Sequence, residues 1–271
     1  LRMLRRQPLG SAGAVVIILM AFAAVFAETI APFDPELENF EYMLSPPGTV
    51  HEDTGKVFYF GTDSFGRDQL SRMIYGARTA LLVGFTASFC GAFLGLILGV
   101  ASAYFGGYID LVLQRVCDVF MAFPLIIMAL AIVSIFGTGV EMVIIAITIP
   151  FIPNCARVVR SSALALKGLP YIDAARSVGY GHVRIIMRHM VPNVMAPFLI
   201  MLTAFVGQAI LTEASLSYLG MGVQEPTAAW GLMLQGGAEE YAESAPWVPI
   251  WPGVAITLAV FGFNLFGDAV R

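Results

Sequence analysis

Few side chains that perform chemistry stand at useful spacings in this sequence. His182 and His189 are seven residues apart, without a Cys partner or an H-E-x-x-H pattern, so their spacing does not indicate a zinc site. Gly55-Lys56 is a Gly-Lys pair, but Val50 stands where a phosphate-binding loop requires Gly. Three residues in or beside apolar runs are interpreted as packing residues: Cys90, Cys117 and Cys155. The sequence therefore predicts no catalytic residue, metal site, cofactor site or ATP site in this chain.

Ionisable side chains are almost absent from the middle of the apolar runs. An acid in mid-membrane is costly and is expected to serve as a proton or ion site. The acids near these runs lie at their ends: Glu28, Glu141, Asp110, Asp118 and Asp268. Glu213 follows Asn193 by 20 residues, and a helix of that length rises about 30 Å, which brings Glu213 to the far interface. There it either lines a vestibule or makes a local cap or hydrogen bond, and both alternatives stay open.

The elements that position these residues are membrane helices. The chain has 271 residues, of which 58% are hydrophobic and 13% charged, about half the charged share of a soluble domain. Its mean hydropathy is +0.79. Segments of this length and composition in lipid must be helical, because their backbone groups have no other partner. Six spans are predicted, at roughly 11–31, 79–104, 116–136, 140–156, 194–216 and 251–268. The fold class is an all-α polytopic membrane protein.

The distribution of basic residues predicts the orientation of these spans. With both termini in the cytoplasm, most basic residues lie inside: Arg2, Arg5, Arg6, Arg115, Arg157, Arg160, Lys167, Arg176, Arg184, Arg188 and Arg271. The outside keeps four: Lys56, Arg67, Arg72 and Arg78. Acids collect in the long outer loops, 32–78 and 220–250, among them Glu225 and Glu239. The long inner loop is 157–192.

The second predicted span carries a stripe of small residues at every fourth position. The stripe consists of Ala87, Gly91, Gly95, Gly99 and Ala103. Small side chains let another helix backbone approach closely, which is how helices associate in lipid. The stripe is a packing face for a helix of this chain or of another subunit, and we favour the same chain.

The inner loop has the local signals of two short helices. Pro170 suits a first helical turn, Asp173 favours the positive N-terminal end, and Gly179 suits the left-handed residue after a helix. A second helix is predicted from about His182 to Val191, with Pro192 as its stop. Ala174-Ala175 forms a small-residue tip that another protein could approach closely. The alternative is an ordinary interfacial linker.

This loop resembles the EAA loop of binding-protein-dependent ABC importers. The pattern is Glu-Ala-Ala, three residues, Gly, nine residues, Ile, any residue, Leu and Pro. The chain keeps its spacing at Asp173, Ala174, Ala175, Gly179 and Pro192 and departs with Asp at 173, His189 for Ile and Val191 for Leu. The stretch 188–193, Arg-His-Met-Val-Pro-Asn, is similar to the form found in the peptide and nickel branch.

Further motifs extend the resemblance over nearly the whole chain. Gly61-Thr62-Asp63-Ser64-Phe65-Gly66-Arg67-Asp68 resembles the first outer-loop signature of this branch. Glu213-Ala214-Ser215-Leu216-Ser217-Tyr218-Leu219-Gly220-Met221-Gly222 resembles a later one. The pattern is most similar to the second, C-type permease of dipeptide, oligopeptide and nickel importers. The resemblance implies the type I permease fold, with a tail, first helix and outer loop in 1–78 and a core permease domain in 79–271.

The resemblance also implies partners and roles. These are a homologous second permease, two cytoplasmic ATPases that bind ATP and Mg, a soluble substrate-binding protein outside, and the bilayer of the bacterial inner membrane, with no nucleic acid. The residues expected to couple to an ATPase are Tyr171, Asp173, Ala174, Ala175, Gly179 and Gly181. Glu213 and Trp230 are candidates for the outer pathway or the binding-protein contact, with an aromatic belt as the alternative for the tryptophans. The competing function is a secondary carrier or channel working alone, which copurification with ATPases would distinguish.

Overall fold

A computed structural model describes residues 8–238 and 240–270, and helices dominate it. The helices in chain order are α1 Pro8–Val25, α2 Ala27–Ile30, α3 Gln69–Phe105, α4 Gly107–Met121, α5 Leu125–Phe136, α6 Val140–Lys167, α7 Pro170–Ser177, α8 His182–Ile185, α9 Val191–Tyr218, α10 Trp230–Ala238 and α11 Trp247–Val270. A π-helical turn, Ile186–Met190, joins α8 to α9. The loop between α2 and α3 contains a 3-10 turn, Phe40–Tyr42, and a small antiparallel hairpin of β1 Thr49–Val50 and β2 Val57–Phe58.

Five helices in the described residues are long and apolar enough to cross a membrane, or up to six if a bent pair counts as one span. The five are α1, α3, α6, the continuous stretch His182–Tyr218, and α11. The expected all-α polytopic fold is confirmed. The side on which each terminus lies stays a prediction, and Arg2, Arg5, Arg6, Glu239 and Arg271 lie outside the described residues. Because α3 runs through residue 78, the predicted division between 78 and 79 falls inside a helix.

The third predicted span is broken, which corrects the expectation of one straight helix over 116–136. Its two parts, α4 and α5, meet at an angle of 89°. Pro124 precedes α5 and cannot donate a backbone hydrogen bond, which favours a break in the helix at this point. Asp110 and Asp118 of α4 form ion pairs with Arg160 and Arg157 of α6, each with a closest distance of 2.5 Å. These pairs hold α4 across the end of α6.

Pro192 does not stop the helix that begins at His182, which corrects a second expectation. The π-helical turn Ile186–Met190 precedes Pro192, and Pro192 lies in the first turn of α9, where a missing N–H is tolerated. The helix therefore continues from His182 to Tyr218. The chain that leaves the loop before His182 therefore enters this long helix without a break.

The small-residue stripe of α3 packs against α6 of the same chain, as we favoured. A Cβ atom at Gly91 would lie 2.6 Å from Cβ of Phe151, and one at Gly95 would lie 2.6 Å from Cβ of Cys155. At Gly99 it would lie 2.6 Å from the carbonyl oxygen of Ala156. Because these gaps cannot hold a side chain, glycine allows the two helix backbones to approach closely. The pair α3 and α6 forms the centre of the core.

Candidate functional site: the tip segment and the cap

The segment 170–181, which we call the tip segment, forms a helix with clear local signals at both ends. Pro170 occupies the first turn of α7, as expected from its missing N–H. Gly179 has φ +86°, its N–H donates to the Arg176 carbonyl at 2.9 Å, and the Tyr180 N–H donates to the Ala175 carbonyl at 3.0 Å. These two bonds form a Schellman motif, for which glycine is favoured at the left-handed position. The predicted helix end at Gly179 is therefore confirmed.

The two alanines of the tip segment face different surroundings. Ala175 and Ile172 are buried against the helical bundle, whereas Ala174 and Asp173 are exposed. The sequence pattern suggested that both alanines share one exposed tip. A helix turns by about 100° per residue, however, so neighbouring residues lie on different faces. Within the described residues, only Ala174 of the pair is open to a partner.

The exposed surface around the tip segment is partly apolar. Val178 and Val183, on either side of the glycine turn, are each 75% exposed. Tyr171 is 38% exposed. A Cβ atom at Gly179 or Gly181 would meet no atom within 4 Å, so nothing in the described chain covers the turn. The predicted coupling residues thus lie together on one short segment, and no described residue covers its outer face at the glycine turn.

At the other end of α3 the loops 32–68 and 219–229 pack together into a structure that we call the cap. Asp68 caps the N-terminus of α3, because its side chain accepts from Ser71 N–H at 2.8 Å and from the Ser71 hydroxyl at 2.6 Å. Nearby, Thr79 Oγ1 donates to the Ala228 carbonyl at 2.8 Å. Since α3 has 37 residues and rises about 1.5 Å per residue, the cap and the tip segment are separated by roughly 50 Å.

A network of two arginines and two carboxylates links the loops of the cap. Arg67 bonds Asp63 through Nε at 2.7 Å and Glu225 through Nη1 at 2.7 Å. Arg72 reaches Glu225 at 3.3 Å and Asp63 at 3.7 Å. The side chain of Arg72 is only 1% exposed, that of Asp63 10% and that of Glu225 43%. The network therefore runs from a buried end at Arg72 to a half-exposed end at Glu225.

The charges of the network shift the pKa values of two of its members, Glu225 and Arg67. Burial alone would raise the pKa of Glu225, but hydrogen bonds from Arg67 and the charges of Arg72 and Arg67 outweigh it, so the pKa of Glu225 is lowered. For Arg67, burial would lower the pKa, but the hydrogen bond to Glu225 and the charge of Asp63 raise it. Glu225 and Arg67 are thus both held in their charged forms. The sequence signature around Arg67 was recognised, but its partner Glu225, 158 residues away, was not.

The two residues proposed for an outer pathway are both buried. Trp230 is 5% exposed, and its Nε1 donates to the Met73 carbonyl at 2.9 Å. Glu213 is 1% exposed, and its carboxylate accepts from the Ser217 hydroxyl at 2.7 Å. For Glu213 the local hydrogen bond, one of the two alternatives, is observed. The pathway and binding-protein roles of both residues stay predictions. Among the described residues, no group of three or more His, Cys, Asp or Glu side chains could hold a metal ion.

Comparison with known protein families gives matches over most of the chain. A family model described as "Binding-protein-dependent transport system inner membrane component" matches residues 91–271. A second, described as "N-terminal TM domain of oligopeptide transport permease C", matches residues 1–47.

Curated relatives and solved structures agree with these matches. A putative peptide transport system permease protein of Brucella suis biovar 1 (strain 1330) is 42% identical over 270 residues, covering 100% of this chain and 88% of that protein. A glutathione transport system permease protein of Escherichia coli O157:H7 is 41% identical over 272 residues, covering 100% of this chain and 87% of that protein.

An inward-facing structure of the MetNI methionine ABC transporter aligns with TM-score 0.56 at 19% identity, covering 74% of this chain and 96% of that one. An amino acid ABC transporter with histidines aligns with TM-score 0.52 at 19% identity, covering 73% and 92%. At these identities the two structures show a common fold.

Proposed function

We propose specific roles for the parts of this chain, starting from the premise that it belongs to the family of binding-protein-dependent transport system inner membrane components. It is a multi-pass permease component of an ABC importer, and a carrier or channel working alone is not favoured. The proposal concerns the finer roles. The tip segment would dock on a cytoplasmic ATPase, the cap would face a substrate-binding protein, and a homologous second permease would complete the translocation pathway. ATP and Mg would be bound by the ATPases.

The observation that carries this proposal is the division of α7 into an attached face and an uncovered face. Ile172 and Ala175 are buried against the bundle, so the helix has a defined position. Ala174 points away, beside exposed Val178 and Tyr171. A short rigid helix with a small residue at its outward face can enter a groove of another protein without steric conflict. Val178 and Tyr171 add apolar surface that a partner could bury beside Ala174.

Docking of the tip segment would couple ATP to transport through the helices that flank it. The chain enters α7 from the end of α6 and leaves it into the continuous helix from His182 to Tyr218. An ATPase that binds one conformation of the permease more tightly than another shifts the population toward it. ATP binding is proposed to favour an outward-open state, and hydrolysis is proposed to release it.

Ala174→Arg tests the docking. The larger, charged side chain should disrupt a packed contact at a cost of about 1 to 3 kcal/mol or more. We expect loss of ATPase copurification and of uptake, with normal membrane insertion and normal assembly with the second permease. Ala174→Ser is the matched control, since it keeps a small side chain at the same exposed position. Wild-type copurification and uptake of the Ala174→Arg variant would contradict the docking.

The substrate is proposed to be a peptide, with glutathione as one candidate. Relatives named for peptide and glutathione transport support this class. The branch that the sequence resembles also includes nickel importers, so a nickel chelate is the competing cargo. Uptake into reconstituted vesicles should be measured with labelled dipeptide, glutathione and a nickel–histidine complex. Uptake of the nickel complex alone would overturn the peptide proposal.

The chain is proposed to lie in the bacterial cytoplasmic membrane with both termini inside. In a background without native cysteines, Glu52→Cys in the cap should react with an impermeant thiol reagent in intact cells. Lys167→Cys, at the end of α6, should react only after the membrane is opened. The reverse pattern would overturn the orientation and, with it, the direction of transport.

A further inference from the structure

Tyr104, in the last turn of α3, contacts both helices that flank the glycine turn of the tip segment. Its hydroxyl lies 2.8 Å from Nδ1 of His182, the first residue of α8, and the two share a hydrogen bond. The tyrosine and histidine rings meet edge to face at a centroid distance of 5.6 Å. The guanidinium carbon of Arg176, in α7, lies 5.7 Å from the centroid of the Tyr104 ring. One side chain thus touches the tip segment and the helix that follows it.

The position of Tyr104 is set by burial. It is 5% exposed, and a buried tyrosine hydroxyl needs a hydrogen-bond partner. The partner comes from a residue 78 positions later in the chain. Removing the hydroxyl would leave the ring in place and take away only this bond. The contact can therefore be cut without creating a large cavity.

The glycine turn is exposed, so its position depends on the contacts of its flanking helices, among them the one between Tyr104 and His182. A Cβ atom at Gly179 or Gly181 would meet nothing within 4 Å, and Val178 and Val183 are largely exposed. Described side chains that attach the segment include buried Ile172 and Ala175 and the rings of Tyr171 and Tyr180, which lie 6.2 and 6.1 Å from that of His189. The contacts of Arg176 and His182 with Tyr104 reach α3, as does the contact between the His182 and Phe105 rings at 6.0 Å, and the bond between Tyr104 and His182 is the hydrogen bond among them.

The other end of α3 belongs to the cap. Arg72, in the first turns of α3, bonds Glu225, and Asp68 caps the same helix. A continuous helix of 37 residues therefore has one end beside the tip segment and the other inside the charged network. A displacement of the tip segment that is passed to Tyr104 would move the helix that carries Arg72.

We propose that Tyr104 is a positioning residue that transmits movement of the tip segment to α3 through its contacts with His182 and Arg176. This rests on the proposed docking of the tip segment on an ATPase. Tyr104 does not form the docking surface, since it is buried behind α7. It determines how far a movement of the docked helix displaces α3 and, with α3, the cap.

Tyr104→Phe tests the transmission in the complete transporter of both permeases and both ATPases. A reporter cysteine replaces half-buried Ser64 of the cap in a background without native cysteines. Its labelling rate with an impermeant maleimide is measured with and without the non-hydrolysable ATP analogue AMP-PNP and Mg. We expect the analogue to change the labelling rate, and Tyr104→Phe to reduce that change about two- to tenfold, the range that one neutral hydrogen bond produces. ATPase copurification should stay at the wild-type level.

Two further variants make the result specific. Tyr108→Phe removes a hydroxyl from a tyrosine that is 79% exposed, four residues further along, and should leave the response unchanged. His182→Ala removes the same hydrogen bond together with the ring contacts, so it should reduce the response at least as much as Tyr104→Phe, and the double variant should go no further than His182→Ala alone. Additive effects would contradict transmission through this pair.

The outcomes separate this inference from the docking on which it rests. A full AMP-PNP response of Tyr104→Phe, or no response in the unmodified complex, overturns transmission through Tyr104. Loss of ATPases from Tyr104→Phe also overturns it, because the residue would then shape the docking surface. The docking itself fails independently if Ala174→Arg keeps its ATPases.

Discussion

The cap and the tip segment lie at opposite ends of α3 and contain the same backbone feature in contrasting surroundings. Gly66 in the cap has φ +72°, and Gly179 in the tip segment has φ +86°. A Cβ atom at Gly66 would lie 1.7 Å from the carbonyl oxygen of Asn39, whereas one at Gly179 would meet nothing within 4 Å. The two glycines satisfy the same conformational need. One of them is enclosed by its own chain, and the other is left uncovered.

The side chains of the two regions differ in the same way. In the cap, Arg67 and Arg72 bond Glu225 across more than 150 residues of sequence. Trp247 Nε1 donates to the Thr62 carbonyl at 3.2 Å, which adds the start of α11. In the tip segment, Arg176 pairs with Asp173, three residues before it, in an exposed ion pair. The ion pairs of the cap are tertiary, whereas the ion pair within the tip segment is local, and a partner is proposed to cover its outer face.

Arg72→Met should have the largest effect on the cap. The change keeps the apolar stem but leaves Asp63 without one of its buried partners, and breaking such a pair costs about 3 kcal/mol or more. We expect a clear fall in the thermal unfolding temperature of the purified chain. The control is Arg115→Met, whose ion pair with Asp118 is exposed and should contribute at most about 1 kcal/mol. Equal effects of the two changes would remove the distinction between the regions.

Replacing Gly66 and Gly179 by alanine should show how differently the two turns are packed. Both variants carry the strain of a positive φ, about 1 to 2 kcal/mol. Gly66→Ala also forces the chain away from Asn39, and overpacking of this kind costs about 1 to 3 kcal/mol more. Thermal unfolding should therefore be lowered more by Gly66→Ala than by Gly179→Ala. The opposite order would show that the tip turn is supported more firmly than its open surroundings indicate.

Gly179→Val should separate stability from transport. A β-branched residue fits poorly at φ +86°, so the turn after α7 should change direction. We expect uptake in reconstituted vesicles to be strongly reduced at equal complex content, with both permeases still assembled. An adaptable, solvated loop would tolerate the change. Unchanged uptake would return this segment to the status of a connector.

The smallest effect on the cap is expected from lowering the pH. Because the pKa of Glu225 is lowered in the folded chain, its ionised form stabilises the cap fully above the usual value of 4.5, and this stabilisation is lost as the pH falls through the lowered pKa. Burial raises the pKa of Asp68 and acts in the opposite direction, so the comparison must be made with Glu225→Gln. As the pH is lowered from about 7 to about 2, the difference in thermal unfolding temperature between the two proteins should stay constant down to the usual pKa and shrink below it. A constant difference would show that the charge of Glu225 does not stabilise the cap.

Features with a local cause were predictable from the sequence. The turn at Gly179 follows from a residue type and its immediate neighbours, and the helix start at Pro170 follows from a missing donor. The small-residue stripe predicted a close helix contact, because only glycine and alanine leave room for one. The exposed and buried faces of Ala174 and Ala175 could also have been separated, since the phase of α7 follows from the apolar position of Ile172.

Features that depend on direction or distance were not predictable in the same way. Apolar content predicts that 116–136 enters lipid, but it does not give the 89° change of direction between α4 and α5. Pro192 was interpreted as the end of a helix because a proline cannot donate a backbone hydrogen bond. The π-helical turn before it allows the helix to continue past this missing donor. The charged network of the cap joins residues from two distant loops. No local pattern around Arg72 identifies Glu225 as its partner.

Hydrogen–deuterium exchange tests the central claim most directly, because it compares both regions in one experiment. Exchange should be followed in the assembled permeases with and without the ATPases. We expect amides of 170–181 to exchange quickly without the ATPases and to become protected when these bind, since a locally held segment opens readily until a partner covers it. Amides of 61–72 should be protected in both states. Equal exchange of 170–181 with and without bound ATPases would contradict the assignment of the tip segment as the docking element.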